Sequence, residues 1–136
     1  TDHAPHTREE KEESYKEAPS GIPGVQTMLP LILNEVHRGE LNLQDVVRLT
    51  STAPAEIFRI KWKGKIEEGY DADFIVVDMD MEKEVTDKEQ FSKCGWTPFR
   101  GRKLKGWPVK TFVNGVVAYD DGKVLDQYVG KEVRFA

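Results

Sequence analysis

The chain opens with the residues Thr1-Asp2-His3-Ala4-Pro5-His6. This stretch places two imidazoles and a carboxylate close together, and Pro5 stiffens the backbone between them. A carboxylate can bind a metal with one oxygen and exchange a proton through the other, so Asp2 is a candidate for both roles. The spacing alone is also compatible with an exposed polar tail, and both interpretations stay open at this point.

The composition of the whole chain narrows the possible classes of protein. With 136 residues, 38% of them hydrophobic, and a mean hydropathy of −0.58, the chain suits one ordinary core rather than a disordered segment. No apolar run is long enough to span a membrane. The net charge of −4 argues against nucleic acid as the main partner. The single cysteine, Cys94, excludes an internal disulfide and suits a reducing compartment, so we expect a cytoplasmic protein.

The first part of the chain has helical spacing. Apolar residues recur every three or four positions and predict a helix over residues 25–38 that ends at Gly39. Pro30 is tolerable in this helix if Thr27 is its cap. Asn42, followed three residues later by an aspartate, predicts a capped second helix. Residues 52–58 predict a third.

The second part has strand-like spacing. Residues 72–78 form a short apolar run that predicts a buried strand. The dipeptide Asn114-Gly115 lies between two apolar runs and predicts a hairpin, because both central residues of a type I′ turn need positive φ. Asp121-Gly122 predicts a further turn. We therefore divide the chain into residues 1–60 and residues 61–136.

Four motifs occur in order along the chain. They are Thr1-Asp2-His3-Ala4-Pro5-His6-Thr7, Gly21-Ile22-Pro23-Gly24-Val25-Gln26-Thr27-Met28-Leu29-Pro30-Leu31, Gly64-Lys65-Ile66-Glu67-Glu68-Gly69-Tyr70-Asp71-Ala72-Asp73 and Thr97-Pro98-Phe99-Arg100-Gly101. With these motifs the sequence resembles the dihydroorotases, cyclic amidohydrolases of the amidohydrolase superfamily. Chance agreement of four separated motifs is not credible, so the exposed-tail interpretation is rejected.

The resemblance implies an α/β fold class. Residues 1–60 would form the last catalytic loop and terminal helices of a (β/α)8 TIM-type metal-dependent hydrolase barrel, and residues 61–136 a small β-sandwich that a preceding segment helps to complete. In this family an H-x-H pair, a carboxylated lysine and two further histidines lie upstream of the first motif. We therefore expect this chain to be the C-terminal portion of a longer enzyme and to be inactive alone.

The resemblance also implies roles for residues of the first two motifs. Asp2 would bind one of two zinc ions and act as the catalytic proton shuttle. His6 would help to hold the carboxylate of the substrate, and the backbone of Ser20 and Gly21 would also meet the substrate. His3 would orient its neighbours rather than contact the substrate directly.

The reaction implied is the reversible cyclisation of N-carbamoyl-L-aspartate to L-dihydroorotate in pyrimidine (UMP) biosynthesis. Relatives that open hydantoins or allantoin usually lack a histidine at the place of His6, which favours dihydroorotate as the substrate. A non-catalytic scaffold subunit for aspartate transcarbamoylase stays possible, and a role for Thr1 as an N-terminal nucleophile is a more remote hypothesis. The expected partners are the small substrate, the upstream part of the enzyme, and either a second copy or a transcarbamoylase.

Several further conspicuous residues have simpler interpretations. Cys94 is expected to be a plain thiol, and His37 to complement the C-terminal dipole of its helix. The tryptophans are expected to pack at the joint between the two parts of the chain. They are Trp62, Trp96 and Trp107.

Overall fold

The computed structural model describes residues 1–127 and 130–136, which are helical in the first part and β in the second, as predicted. The helices are α1 (Arg8–Glu12), α2 (Met28–His37), α3 (Leu43–Val47) and α4 (Ala53–Ile57), and the strands are β1 (Phe74–Glu84), β2 (Lys103–Val113), β3 (Val116–Asp120) and β4 (Lys123–Val124). One π-helical turn, Arg48–Thr52, joins α3 to α4, and a 3-10 turn, Asp87–Glu89, follows β1. Within the described residues, no helix is long and apolar enough to cross a membrane.

Two short helices begin with reciprocal side-chain caps. At α1 the Glu10 amide donates to the Thr7 hydroxyl at 3.2 Å, and the Glu10 carboxylate accepts from the Thr7 amide at 2.7 Å. At α3, as predicted, the Asp45 amide donates to the Asn42 side chain at 2.9 Å, and the Asp45 carboxylate accepts from the Asn42 amide at 3.2 Å. Each cap satisfies backbone groups that a helix of five residues otherwise leaves open, and contributes about 1 kcal/mol.

Helix α2 begins at Met28, directly after the predicted cap residue Thr27 and three residues after the start of the apolar stripe at Val25. The residues before it serve tertiary contacts instead: the Val25 amide donates to His3, and the Gln26 side chain binds the segment after β1. Thr27 is at the N-cap position, but its hydroxyl faces the Gly24 carbonyl at 3.5 Å and does not cap the helix.

The strands form a four-stranded antiparallel sheet in the order β1-β2-β3-β4. Both predicted turns are confirmed, since Asn114 and Gly115 have φ of 50° and 81°, and Asp121 and Gly122 have φ of 39° and 86°. Positive φ at both central residues matches the right-handed twist of the flanking strands. The described residues form one sheet. A sandwich needs a second sheet, so the predicted β-sandwich stays a prediction.

The prediction that residues 72–78 form a buried strand was right about the strand and wrong about its burial. Ile75 and Val76 in β1 are 49% and 44% exposed. The physical reason is that, of the described helices and strands, only β2 packs against β1 to any extent, so little lies over the faces to which these side chains point. The apolar run therefore predicted the strand correctly, but it did not show how much of the strand the rest of the described chain covers.

The two parts of the chain pack together where α2 lies on β2. Leu33 of α2 is buried against Gly106, where an added Cβ would lie 2.8 Å from the Leu33 Cβ. The Lys105 amide donates to the Asn34 side chain at 3.1 Å and fixes the helix along the strand. This contact sets the position of the sheet relative to the segment that precedes α2.

An ion-pair cluster lies near the joint predicted around residue 60. The Lys63 ammonium contacts the carboxylates of Asp71, at 3.0 Å, and of Asp73. Partial burial by itself raises the pKa of Asp73, but the hydrogen bond from the Asn114 amide and the contact with Lys63 lower it by more, so the pKa lies below its ordinary value. For Lys63, partial burial lowers the pKa, but the hydrogen bonds to Asp73 and Asp71 outweigh it and raise the pKa above 10.5.

A depressed carboxyl pKa predicts a stability that depends on pH. The Asp73 pKa is lower in the folded chain than in the unfolded chain, where it has its ordinary value of 3.8. The ionised carboxylate therefore stabilises the fold fully above pH 3.8, and this stabilisation is lost as the pH falls through the lowered pKa of the folded state. We expect Asp73→Asn to reduce the free energy of unfolding by about 1 kcal/mol at neutral pH, after allowance for solvent screening. The difference from the wild type should shrink in acid, as measured by urea unfolding at both pH values.

The matched control for Asp73 is Asp80→Asn, because Asp80 pairs with Lys105 at 3.4 Å but is 93% exposed. We expect no measurable change in the free energy of unfolding for this variant. A loss at Asp73 that is equal in acid and at neutral pH would contradict the assignment.

Candidate active site

The structure brings the first two motifs together at one place. His3 and Ile22 form a parallel bridge, and the Ala4 amide donates to the Ile22 carbonyl at 2.9 Å. Gly21 has φ of 92°, and a Cβ at this position would lie 2.5 Å from the Ala4 Cβ. Only glycine permits this approach, so the residues predicted to meet the substrate, Ser20 and Gly21, lie beside the opening stretch.

His3 is held by the backbone of the second motif. The Val25 amide donates to His3 Nδ1 at 3.4 Å. Because Nδ1 is the acceptor, a neutral His3 ring carries its proton on Nε2. The predicted orienting role of His3 stays a prediction, and this contact gives it a physical basis.

Asp2 is exposed and lies in a strained backbone conformation. Its φ of 47° is in the left-handed region, which is uncommon for residues other than glycine and costs of the order of 1 kcal/mol. An exposed carboxylate on such a backbone can accept a metal or a proton. In the part of the chain that the structure describes, no group of three or more His, Cys, Asp or Glu side chains is arranged to hold a metal ion.

His6 lies where the opening stretch turns into α1. Its amide donates to the Ala4 carbonyl at 2.9 Å, which closes a tight turn around Pro5. Its side chain is 35% exposed, with Nδ1 3.7 Å from a carboxylate oxygen of Glu10. The ring is therefore accessible to a ligand while its backbone is ordered.

The connection between β1 and β2 (residues 85–102, the β1–β2 connection) reaches the opening stretch, and the sequence did not predict this. The Trp96 indole N–H donates to the His6 carbonyl at 2.8 Å. Asp87 pairs with Arg8 at 2.9 Å and accepts the Thr97 amide at 3.0 Å. The contacts to His6 and Arg8 join residues 90 and 79 positions apart, so no local pattern could have revealed them.

Gln26 makes a second link between the same connection and the second motif. Its amide nitrogen donates to the Glu89 carbonyl at 2.7 Å, and its oxygen accepts from the Phe91 amide at 2.8 Å. The fourth motif, which begins at Thr97, lies in the β1–β2 connection, and the Thr97 amide donates to Asp87 there.

His37, Cys94 and Trp107, also singled out in the sequence, have hydrogen-bond partners outside the opening stretch. His37 is in the last turn of α2, with Nε2 2.6 Å from the Met79 carbonyl oxygen. The Cys94 sulfur lies 3.2 Å from the Ser92 hydroxyl, and the Trp107 indole donates to the Leu104 carbonyl at 2.8 Å.

Comparison with known proteins finds a matching protein family and similar curated proteins. A model of the amidohydrolase family matches residues 1–118. A dihydroorotase from Halobacterium salinarum is 44% identical over 134 residues, which are 98% of this chain and 31% of that protein. One from Pyrococcus abyssi is 43% identical over 133 residues, 98% of this chain and 32% of that protein. The chain therefore spans about a third of the length of these curated relatives.

Solved structures give the same fold. A D-hydantoinase (dihydropyrimidinase) from a Thermus species superposes with a TM-score of 0.86 and 32% identity, covering 92% of this chain and 28% of that chain. The α/β fold class expected from the resemblance is confirmed. The assignment of residues 1–60 to the end of a barrel and of residues 61–136 to a separate β domain stays a prediction.

Proposed function

This chain belongs to the amidohydrolase family, and on that premise we propose that it supplies the C-terminal part of a dihydroorotase. The reaction is the reversible cyclisation of N-carbamoyl-L-aspartate to L-dihydroorotate in pyrimidine biosynthesis. The observation that carries the proposal is the parallel bridge between His3 and Ile22, which places Asp2, His6 and Gly21 on neighbouring segments. The dihydroorotases that are more than 40% identical over nearly the whole chain support it.

Catalysis on this proposal needs more than the present residues. The chain spans about a third of the relatives' length, so we propose that it works together with groups it does not contain and is inactive alone. We call this assembly the complete enzyme. Its localisation in the cytoplasm and its association with a second copy or a transcarbamoylase stay predictions.

The substrate carries a ring carboxylate, and the site offers groups suited to an anion. The His6 imidazole, partly exposed, can donate a hydrogen bond to one carboxylate oxygen. The absence of a side chain at Gly21 lets the second motif lie against Ala4, which brings the main chain of Ser20 and Gly21 beside the opening stretch. Main-chain amides in such a turn can bind an anion. His6 and the Ser20-Gly21 backbone would therefore bind the carboxylate and fix the orientation of the ring.

Asp2 would move the proton of the reaction. In ring opening, water attacks the amide carbonyl, and Asp2 would take the proton of that water and hand it to the departing amide nitrogen. In ring closure it would take the proton from the attacking carbamoyl nitrogen and return it to the hydroxyl group, which leaves as water. Its carboxylate also has the chemistry of a zinc ligand, and it would hold a zinc ion together with groups outside this chain. When bound, such an ion polarises the carbonyl under attack. His3, fixed by the Val25 amide, would keep the backbone next to Asp2 in place.

A comparison of substrates tests the proposed function. We expect the complete enzyme to open dihydroorotate with a kcat/KM about 100-fold above that for hydantoin or allantoin, because a hydrogen bond to a charged carboxylate contributes about 1.5 to 3 kcal/mol. The measurement is the initial rate of ring opening for each substrate under the same conditions. Equal or better activity on hydantoin would contradict the proposal.

The alternative function is that of a hydantoinase-type cyclic amidohydrolase. The observation that favours it is the superposition on a D-hydantoinase with a TM-score of 0.86. The same substrate comparison separates the two, because a hydantoin ring carries no carboxylate for His6 to hold. No activity on any of the three substrates would instead favour the scaffold role.

A further inference from the structure

The backbone of His6 is fixed at both of its polar atoms. Its amide donates to the Ala4 carbonyl at 2.9 Å, and its carbonyl accepts from the Trp96 indole at 2.8 Å. The first bond lies within the opening stretch, whereas the second comes from a residue 90 positions away. Trp96 therefore fixes the peptide plane that follows His6 from outside the stretch.

The segment around Trp96 is itself held in place by further contacts. The next residue, Thr97, is buried, and its amide donates to Asp87 at 3.0 Å. Asp87 in turn pairs with Arg8, two residues after His6, at 2.9 Å. The β1–β2 connection thus binds the chain at His6 and again at Arg8, so the position of the His6 Cα–Cβ bond depends on both contacts.

We propose that Trp96 is a positioning residue for His6, acting through the His6 carbonyl rather than through the substrate. This inference rests on the proposed function, in which the His6 imidazole holds the substrate carboxylate. Loss of the indole N–H would leave the His6 carbonyl without this donor and let the peptide rotate. The imidazole would then meet the carboxylate less often, which weakens binding more than it slows the chemical step.

The test compares two tryptophan variants of the complete enzyme. Trp96→Phe keeps an aromatic ring but removes the donor, and we expect the KM for dihydroorotate to rise about 10-fold while kcat changes less than about threefold. The matched control is Trp107→Phe, which removes an indole bond of the same length, 2.8 Å to the Leu104 carbonyl within β2 rather than to the opening stretch. The control should leave KM unchanged even where the melting temperature falls.

A double-mutant cycle separates positioning from a general structural role. If Trp96 acts through His6, adding Trp96→Phe to His6→Ala should raise KM no further. A KM unchanged in Trp96→Phe, or an effect that multiplies fully with that of His6→Ala, would overturn the inference. Should Trp96→Phe fail to fold, replacing the indole by its benzothiophene isostere removes the same N–H with the ring shape preserved.

Amide hydrogen exchange keeps this inference distinct from the proposed function. If the wild-type complete enzyme does not open dihydroorotate, the proposed function fails, but the positioning contact is still measurable. Exchange at the amides of Ala4 and His6 should then be at least about threefold faster in Trp96→Phe than in Trp107→Phe, because local opening is easier. Equal exchange in the two variants would overturn the positioning role.

Discussion

Replacing Asp2 by asparagine is expected to lower kcat for dihydroorotate about 1,000-fold in the complete enzyme. The amide has nearly the shape of the carboxylate, but it cannot exchange the proton and is a poor metal ligand, and loss of a general acid–base group typically costs 10²–10⁴-fold, that is, about three orders of magnitude. Asparagine also tolerates the left-handed backbone at this position, where φ is 47°, so the fold should survive. The measurements are kcat and the metal bound per chain.

Asp121 provides the matched control for Asp2. It is also an exposed aspartate with positive φ, 39°, but it lies in the turn between β3 and β4. Asp121→Asn should leave kcat and metal content unchanged. Near-normal turnover of Asp2→Asn, with its full complement of metal, would contradict the role given to Asp2.

Replacing His6 by alanine is expected to raise the KM for dihydroorotate by about 30-fold, with a smaller effect on kcat. The lost group is a hydrogen-bond donor to a charged carboxylate, which contributes about 1.5 to 3 kcal/mol to binding. The loss should be confined to substrates that carry the carboxylate. We would measure KM for dihydroorotate and, in parallel, the rate with a ring of the same type that lacks this group.

His37→Ala is the control for His6, because His37 contacts the Met79 carbonyl in another region of the chain. It should leave the KM unchanged. If His6→Ala impairs substrates with and without the carboxylate equally, His6 supports the fold of the site rather than recognising the anion.

Local features of the fold could be predicted because their causes lie within a few residues. The cap at Asn42 needs only a carboxylate three residues later, and the turns at Asn114-Gly115 and Asp121-Gly122 need only residues that accept positive φ. A few neighbouring residues are therefore enough to predict such caps and turns.

Features that depend on tertiary contacts could not be predicted in the same way. The exposure of Ile75 and Val76 depends on what lies over β1. The bond from Trp96 to His6 was missed for the same reason, since tryptophan packs in many ways and its partner lies in a distant segment.

The candidate site could be predicted in part. Asp2 and His6 could be singled out because the opening motif concentrates ionisable groups, and Gly21 because of the motif that contains it. That the two motifs meet through the bridge between His3 and Ile22 required the structure.

A crystal structure of the complete enzyme with dihydroorotate bound tests the central claim most directly. We predict an oxygen of Asp2 at about 2.0–2.2 Å from a zinc ion. We also predict an imidazole nitrogen of His6 within about 3.2 Å of the ring carboxylate. A structure in which other groups bind the carboxylate and His6 faces solvent, or in which the metal lies away from Asp2, would contradict the account.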